Sequence, residues 1–186
     1  MGQTPIRSLP ADDLLESGYV RRHESGSYDY FGPDARVLLS DPFLDTHCFQ
    51  LVEDSEEPDR IGLAFEPVRE RSVPDIRGTF WLDRATATLD LLDFQYTWVP
   101  WAEAQGVAKG TVDFGILPSG AWVIQRWWIR MPIMVIDHTV RRFGGDGLRV
   151  DGILEEGEEV LKVTMLGNGR IVEAIAASRP DTPPPD

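Results

Sequence analysis

The stretch GTFWLDRATATLDLLDFQYTW, residues 78–98, indicates a β-hairpin and with it the fold class. Two runs rich in aromatic and branched residues flank a polar turn at residues 83–86, and this pattern predicts paired antiparallel strands. In the second run the apolar phase slips between Leu91 and Asp93, as it does at a β-bulge. Because bulges bend sheets, the stretch favours a strongly curved sheet over a flat one.

Similar strand-like segments recur from residue 47 to residue 177 without helical segments between them, which predicts an antiparallel meander. Before them, residues 10–18 and 33–43 read as short helices, the first ended by Gly18 and the second by Pro42. We therefore expect a mainly β fold: a strongly curved antiparallel meander sheet or open half-barrel with one or two short N-terminal helices. The predicted strands are a hairpin over 19–31, then 47–52, 60–66, 78–83, 87–98, 110–116, 121–131, 133–142, 148–154, 158–166 and 170–177.

Composition and length predict a single domain. The chain of 186 residues is long enough to bury a sizeable core. We place one β-rich domain at residues 10–177, between a disordered N-terminus over 1–9 and a proline-rich disordered tail over 178–186.

The composition disfavours several kinds of partner and site. A net charge of −13 disfavours nucleic acid, which needs a positive footprint. The sequence contains no apolar run long enough for a transmembrane segment, and its start does not read as a signal peptide. Cys48 is the single cysteine and only three histidines accompany it, so we predict no disulfide, no metal site and no cofactor.

The stretch AWVIQRWWIRMP, residues 121–132, is the most unusual part of the sequence. Strand alternation puts Trp122, Arg126, Trp128 and Arg130 on one face and an apolar set on the other.

The preceding segment sets the expected register of this strand. A turn at residues 118–120 would place Ile116 opposite Ala121 and would set Asp113 diagonal to Arg126.

Three interpretations of this aromatic and arginine-rich face stay open. In the first, the tryptophans and arginines of this face bind a ligand by stacking and cation–π contacts. In the second, the arginines cover the tryptophans, with Asp113 or Asp90 as partner charges. The face could also dock another protein, because exposed aromatic residues and arginine resemble interface anchors. The candidate ligand or partner contacts are Trp122, Arg126, Trp128, Arg130, Phe94, Tyr96 and Trp98.

We predict no catalytic residues. His47 precedes Cys48 in a strand, and Asp137 precedes His138 in another, so the side chains of each pair point to opposite faces. Cys48 is therefore expected to pack as a small hydrophobic residue. The acidic loop at residues 52–60 lacks the ligand spacing of a calcium loop and reads as a solvated hairpin tip.

Three segments resemble a known group of proteins: VLLSDPFLDTHCFQLV (37–52), IGLAFEPVRERSVPDIRGTFWLDRATATLDLLDFQYT (61–97) and LPSGAWVIQRWWIRMP (117–132). They look like the later region of bacterial carboxypeptidase regulatory-like domain-containing proteins, over residues 18–135. The resemblance implies a non-catalytic setting in the periplasm or on the extracytoplasmic face of the envelope. The chain departs from that pattern at its start, where neither the companion β-sandwich module nor a signal peptide is visible.

The repeated glycine, apolar, Leu-Asp, turn and threonine pattern also looks like the half-barrels of outer-membrane lipoprotein carriers. This second resemblance implies a concave apolar face closed by the N-terminal helices. The first expectation for function is a non-enzymatic envelope module that binds or scaffolds another envelope protein. A carrier of a lipid or other apolar ligand is the alternative, and an unrecognised hydrolase comes third.

Overall fold

The computed structural model describes residues 8–24, 28–69, 71–97, 106–117, 119–142, 145–167 and 170–174, and within these it describes the side chains except those of 136–148 and 165–174. It shows an open, curved, seven-stranded antiparallel sheet preceded by three short helices. The predicted mainly β fold with N-terminal helices is confirmed. The predicted disordered ends lie almost wholly outside these residues, as does Trp98.

The N-terminal region begins with α1 (Ala11–Ser17) and a small hairpin of β1 (Val20–Arg22) and β2 (Tyr28–Tyr30). Gly18 ends α1 with a φ of 77°, and a Cβ at this position would lie 2.2 Å from the carbonyl oxygen of Pro74. Only glycine fits that close approach. The predicted first helix and the predicted hairpin are both confirmed.

The predicted helix over 33–43 is wrong in its extent, because two helices occupy this region. They are α2 (Ala35–Leu38) and α3 (Asp41–Thr46). The side chain of Ser40 accepts a hydrogen bond from the backbone N–H of Phe43 at 3.3 Å and caps α3. Pro42 falls in the first turn of α3, where a missing N–H costs no helical bond, so it helps to begin a helix instead of ending one.

The main sheet is a meander in which every strand pairs with its sequence neighbour. A separate two-stranded sheet follows it, formed by β10 (Val163–Gly167) and β11 (Arg170–Ala174). The strands of the main sheet are β3 (His47–Glu53), β4 (Arg60–Pro67), β5 (Ile76–Asp83), β6 (Leu89–Tyr96), β7 (Lys109–Ile116), β8 (Trp122–Arg142) and β9 (Gly145–Glu159).

The bulge predicted from residues 78–98 is present, although it falls earlier in β6 than the sequence indicated. Trp81 pairs with Leu91, while Leu82 pairs with Leu89, so Asp90 is the extra residue. The bulge lets both Leu89 and Leu92 share the apolar face of the sheet with Leu82, which explains the change of phase in the sequence.

Two predicted strand boundaries are wrong. Residues 121–131 and 133–142 form the single strand β8, which continues through Pro132. This proline lies beyond Arg130, the last residue of β8 paired with β7, so a missing N–H is tolerated there. Likewise, β9 runs to Glu159 and includes the residues between the predicted strands over 148–154 and 158–166.

The predicted register between β7 and β8 is also wrong. Ile116 pairs with Trp122 instead of Ala121, and a bulge follows between Asp113 and Phe114. As a result, Trp122 shares a face with Ile116. Beyond the bulge, Asp113 lies directly opposite Arg126.

The two faces of the main sheet differ in chemistry. One face is apolar and packs against side chains of the three helices, which form a common core with it. The other is polar, and none of the described helices packs on it. No helix among the residues described has the length and apolar character that crossing a membrane requires. The core comprises Leu14, Tyr19, Val20, Tyr30, Phe31, Val37, Leu38, Phe43, Phe65, Ile76, Leu92, Phe94, Tyr96, Ala108, Val112, Trp127 and Ile129.

Candidate functional site

A row of side chains crosses six strands on the polar face of the sheet. Its members are consecutive cross-strand partners, one from each of β3 to β8, so they lie side by side across the sheet. We call them the middle row: Gln50, Ala64, Thr79, Asp93, Thr111 and Trp128.

The middle row forms the floor of a groove of about 740 Å³. The small side chain of Ala64 leaves room above β4. Trp81 on β5 and Trp128 on β8 also line the groove. A second row of side chains, most of them longer and polar, runs alongside the middle row and borders the groove. That border consists of Cys48, Glu66, Arg77, Gln95 and Lys109.

Asp93 is the central side chain of the floor. It is half-buried, and its Oδ2 accepts a hydrogen bond from the indole Nε1 of Trp81 at 3.1 Å. Its second oxygen, Oδ1, accepts no hydrogen bond from a described residue. Burial raises the pKa of Asp93, while the Trp81 hydrogen bond and the positive charge of Arg60 oppose that shift. A half-buried carboxylate with an unused acceptor is suited to receive a donor from a ligand.

We expect Asp93 to lower the stability of the fold once it is ionised. Because its pKa is raised in the folded protein, the folded state binds the carboxyl proton more tightly than the unfolded chain does. Its contribution to the free energy of unfolding therefore falls as the pH rises above the ordinary value of 3.8. Asp93→Asn keeps an oxygen for Trp81 and should raise the free energy of unfolding at neutral pH, by less than about 2 kcal/mol.

Urea unfolding of both proteins between about pH 3 and pH 8 measures this effect. The gain in the free energy of unfolding of Asp93→Asn over wild type should be small near pH 3 and should grow as the pH rises above the ordinary carboxyl pKa. A variant less stable than wild type at neutral pH would show that the carboxylate stabilises the fold.

The tryptophans beside the groove are covered by arginines. The guanidinium carbon of Arg60 lies 5.1 Å from the ring centroid of Trp81, and that of Arg130 lies 5.8 Å from the ring centroid of Trp128. Trp81 also lies over Gly62, where a Cβ would be 2.9 Å from its ring. These contacts agree with the interpretation in which arginines cover the tryptophans.

Three of the predicted contact residues share the polar face. Trp128 lines the groove, Arg126 pairs with Asp113 (Nε to Oδ2, 2.8 Å), and Arg130 pairs with Glu155 (Nε to Oε1, 2.7 Å). The Arg126–Asp113 pair is one that the sequence indicated.

The other predicted contact residues do not join them. Trp122 is 51% exposed at the end of the β7–β8 hairpin, on the side of the sheet that carries the helices. The rings of Phe94 and Tyr96 are buried in the core, and the hydroxyl of Tyr96 donates to the carbonyl oxygen of Phe31 at 3.0 Å. Trp98 lies outside the described residues.

The expectation that His47 and Cys48 diverge is confirmed, but the packing predicted for Cys48 is wrong. Cys48 is exposed on the groove face, whereas His47 is buried on the opposite face. There the Nε2 of His47 lies 3.3 Å from Oδ1 of Asp75, and Arg71 donates to the other oxygen of Asp75. The cavity beside them holds only about 10 Å³, which leaves no room for a substrate.

Sequence reasoning did not identify the groove residues around Asp93. Polar residues two apart occur in β5, β6 and β7 at positions 77 and 79, 93 and 95, and 109 and 111. Combined with the hairpin registers, this repeated spacing was the signal that could have revealed a polar patch. The side chains of Asp137 and His138, weighed as chemistry from the sequence, lie outside those the structure describes.

The groove has little of the character that an acyl chain requires. Charged or amide side chains occupy six of its positions, whereas a lipid site is lined predominantly by apolar groups. The helices do cover the apolar face of the sheet, as the carrier resemblance implied, but the groove lies on the polar face. The six are Gln50, Glu66, Arg77, Asp93, Gln95 and Lys109.

Comparisons with protein-family models, with curated proteins and with solved structures gave no significant match. The resemblances named from the sequence therefore stay predictions.

Proposed function

We propose that this chain is a non-enzymatic binding module whose groove, centred on Asp93, holds a polar ligand by hydrogen bonds. The observation that carries the proposal is the half-buried Asp93 carboxylate at the middle of a groove of about 740 Å³, with one oxygen unused by the described residues. Thr79 and Thr111 flank it as cross-strand partners and add hydroxyl groups to the floor. Polar groups that converge in a concave site fix the orientation of a ligand.

The envelope location follows only from the resemblance to carboxypeptidase regulatory-like domain-containing proteins. We keep it as part of the proposal, together with the absence of turnover. Scaffolding of another envelope protein would use exposed apolar residues such as Trp122, which lies away from the groove. The polar groove favours a soluble ligand over that partner.

A ligand screen tests the proposal. Saturation-transfer NMR with a library of small sugars, amino acids and nucleosides should identify compounds that bind the wild-type protein. Asp93→Ala should weaken their binding by about 10- to 100-fold, because a hydrogen bond to a charged group is worth about 1.5–3 kcal/mol.

The matched control is Asp59→Asn, an exposed aspartate outside the groove, which should bind every compound as wild type does. Binding that Asp93→Ala leaves unchanged would place the site elsewhere and overturn the proposal, as would a screen in which neither the library nor linear oligosaccharides bind. Asp93→Asn provides a second variant if the alanine protein is poorly folded.

A further inference from the structure

The groove is long and narrow. Its lining runs from Gln50 on β3 to Trp128 on β8, and neighbouring strands lie about 4.8 Å apart, so its floor is about 24 Å long. A volume of about 740 Å³ spread over that length gives a mean cross-section of about 30 Å². These dimensions fit one extended chain that crosses the strands better than they fit a compact molecule.

The charges along the groove are balanced. Glu66 and Asp93 contribute two negative groups, and Arg77 and Lys109 contribute two positive ones. This balance favours a neutral occupant, and it disfavours a phosphate backbone, which requires an excess of positive charge. The remaining polar lining consists of amides and hydroxyls: Gln50, Thr79, Gln95 and Thr111.

An extended peptide fits this surface less well than a chain of hydroxyl groups does. Peptides that bind sheets add to an exposed edge, where backbone groups are unpaired, whereas the groove lies on a face whose backbone groups already pair between strands. Proline-rich peptides need open aromatic surfaces, and the guanidinium groups of Arg60 and Arg130 lie over the rings of Trp81 and Trp128 and reduce the open area. Recognition must therefore come from the polar side chains of the groove, which would contact the ligand along its length.

We propose that the groove binds a linear, neutral oligosaccharide lying across the strands from β3 to β8. The inference rests on the proposed function, because it takes the Asp93 groove as the ligand site. Sugar hydroxyls would donate to Asp93 and would accept hydrogen bonds from the side-chain amides of Gln50 and Gln95. The length of the groove requires several sugar units to fill it.

The test is isothermal titration calorimetry with neutral cello-, chito-, malto- and xylo-oligosaccharides, from the disaccharide to the hexasaccharide. In at least one series the affinity should rise by about tenfold or more from disaccharide to hexasaccharide, as contacts toward both ends of the groove are added.

Gln50→Ala removes an exposed side chain at one end of the floor. It should weaken the hexasaccharide by about fivefold, the value of one hydrogen bond, and leave the disaccharide unchanged. Leu51→Ala is the matched control, because Leu51 is 67% exposed on the opposite face of the same strand. It should change neither affinity.

The two proposals fail in different ways. If the disaccharide binds as tightly as the hexasaccharide, or if only extended peptides bind, the oligosaccharide inference is overturned. If compact polar compounds bind with sensitivity to Asp93→Ala and no oligosaccharide binds, the inference fails while the proposed function stands. A hexasaccharide whose affinity is unaffected by Asp93→Ala would contradict both.

Discussion

Replacing Asp75 by asparagine should lower the free energy of unfolding by about 3–5 kcal/mol, the usual cost of removing one partner from a buried ion pair. Asp75 is 1% exposed and lies between His47 and Arg71. Arg71 also donates to the carbonyl oxygens of Leu14 and Leu15 at the end of α1 (Nη2 and Nη1, 3.4 and 3.2 Å). The carboxylate therefore connects α1 and β3 to the start of β5.

The asparagine variant leaves buried donors without a negative partner. The Nδ1 of His47 lies 2.9 Å from the carbonyl oxygen of Phe43, and its Nε2 faces the oxygens of Asp75 and Ile76 at 3.3 Å. An asparagine supplies one oxygen and adds two N–H donors to a cluster already rich in donors. The loss should be large for this reason.

Urea unfolding followed by tryptophan fluorescence measures the change. Asp59→Asn, an exposed control, should stay within about 0.5 kcal/mol of wild type. A loss below about 1 kcal/mol for Asp75→Asn would mean that the carboxylate contributes no more than an exposed ion pair does.

Phe94→Ala is expected to cost about 3–5 kcal/mol, as truncation of a buried aromatic residue does. Phe94 is 2% exposed, its ring meets that of Tyr96 edge-on at 5.7 Å, and it covers Gly110, where a Cβ would be 2.6 Å from the ring. The ring of Phe94 occupies the space over Gly110, which has no side chain of its own to fill that space. The alanine variant would therefore leave a cavity there, on the face of the sheet opposite Asp93.

Thermal and urea unfolding of Phe94→Ala, compared with Phe49→Ala, check this expectation. Phe49 lies on the same apolar face at the sheet edge and is 37% exposed, so its truncation should cost less than half as much. Equal small losses for both variants would indicate that the Phe94 ring lies at a surface, where a ligand or partner contact would be expected.

Much of the fold follows from local sequence patterns. The change of phase near Leu91 indicates the bulge in β6, and Gly18 marks the end of α1, because both features depend on residues close in the chain. Pro132 suggests a break between two strands, but a proline is compatible with a continuous strand wherever one edge of that strand is unpaired. That condition depends on the length of β7, which local pattern does not determine.

The site was harder to predict because its parts come from distant segments. Asp93 reads as an ordinary polar residue in a strand, and its role appears only when Thr79 and Thr111 are placed on either side of it. A one-residue change of register moves side chains to the other face, so the predicted pairing of Ile116 with Ala121 misplaced Trp122. Arginine cover of the tryptophans was foreseen as one interpretation, whereas Arg60 over Trp81 was not.

Chemical-shift mapping by NMR tests most directly the claim that the polar face of the sheet holds the ligand. The probe is the library compound with the strongest saturation-transfer signal on the wild-type protein. The largest shifts should fall on the amides of residues 77–81, 91–95 and 109–113 and on the indole N–H groups of Trp81 and Trp128. Shifts concentrated in the helices over residues 11–46, or around Trp122, would contradict it.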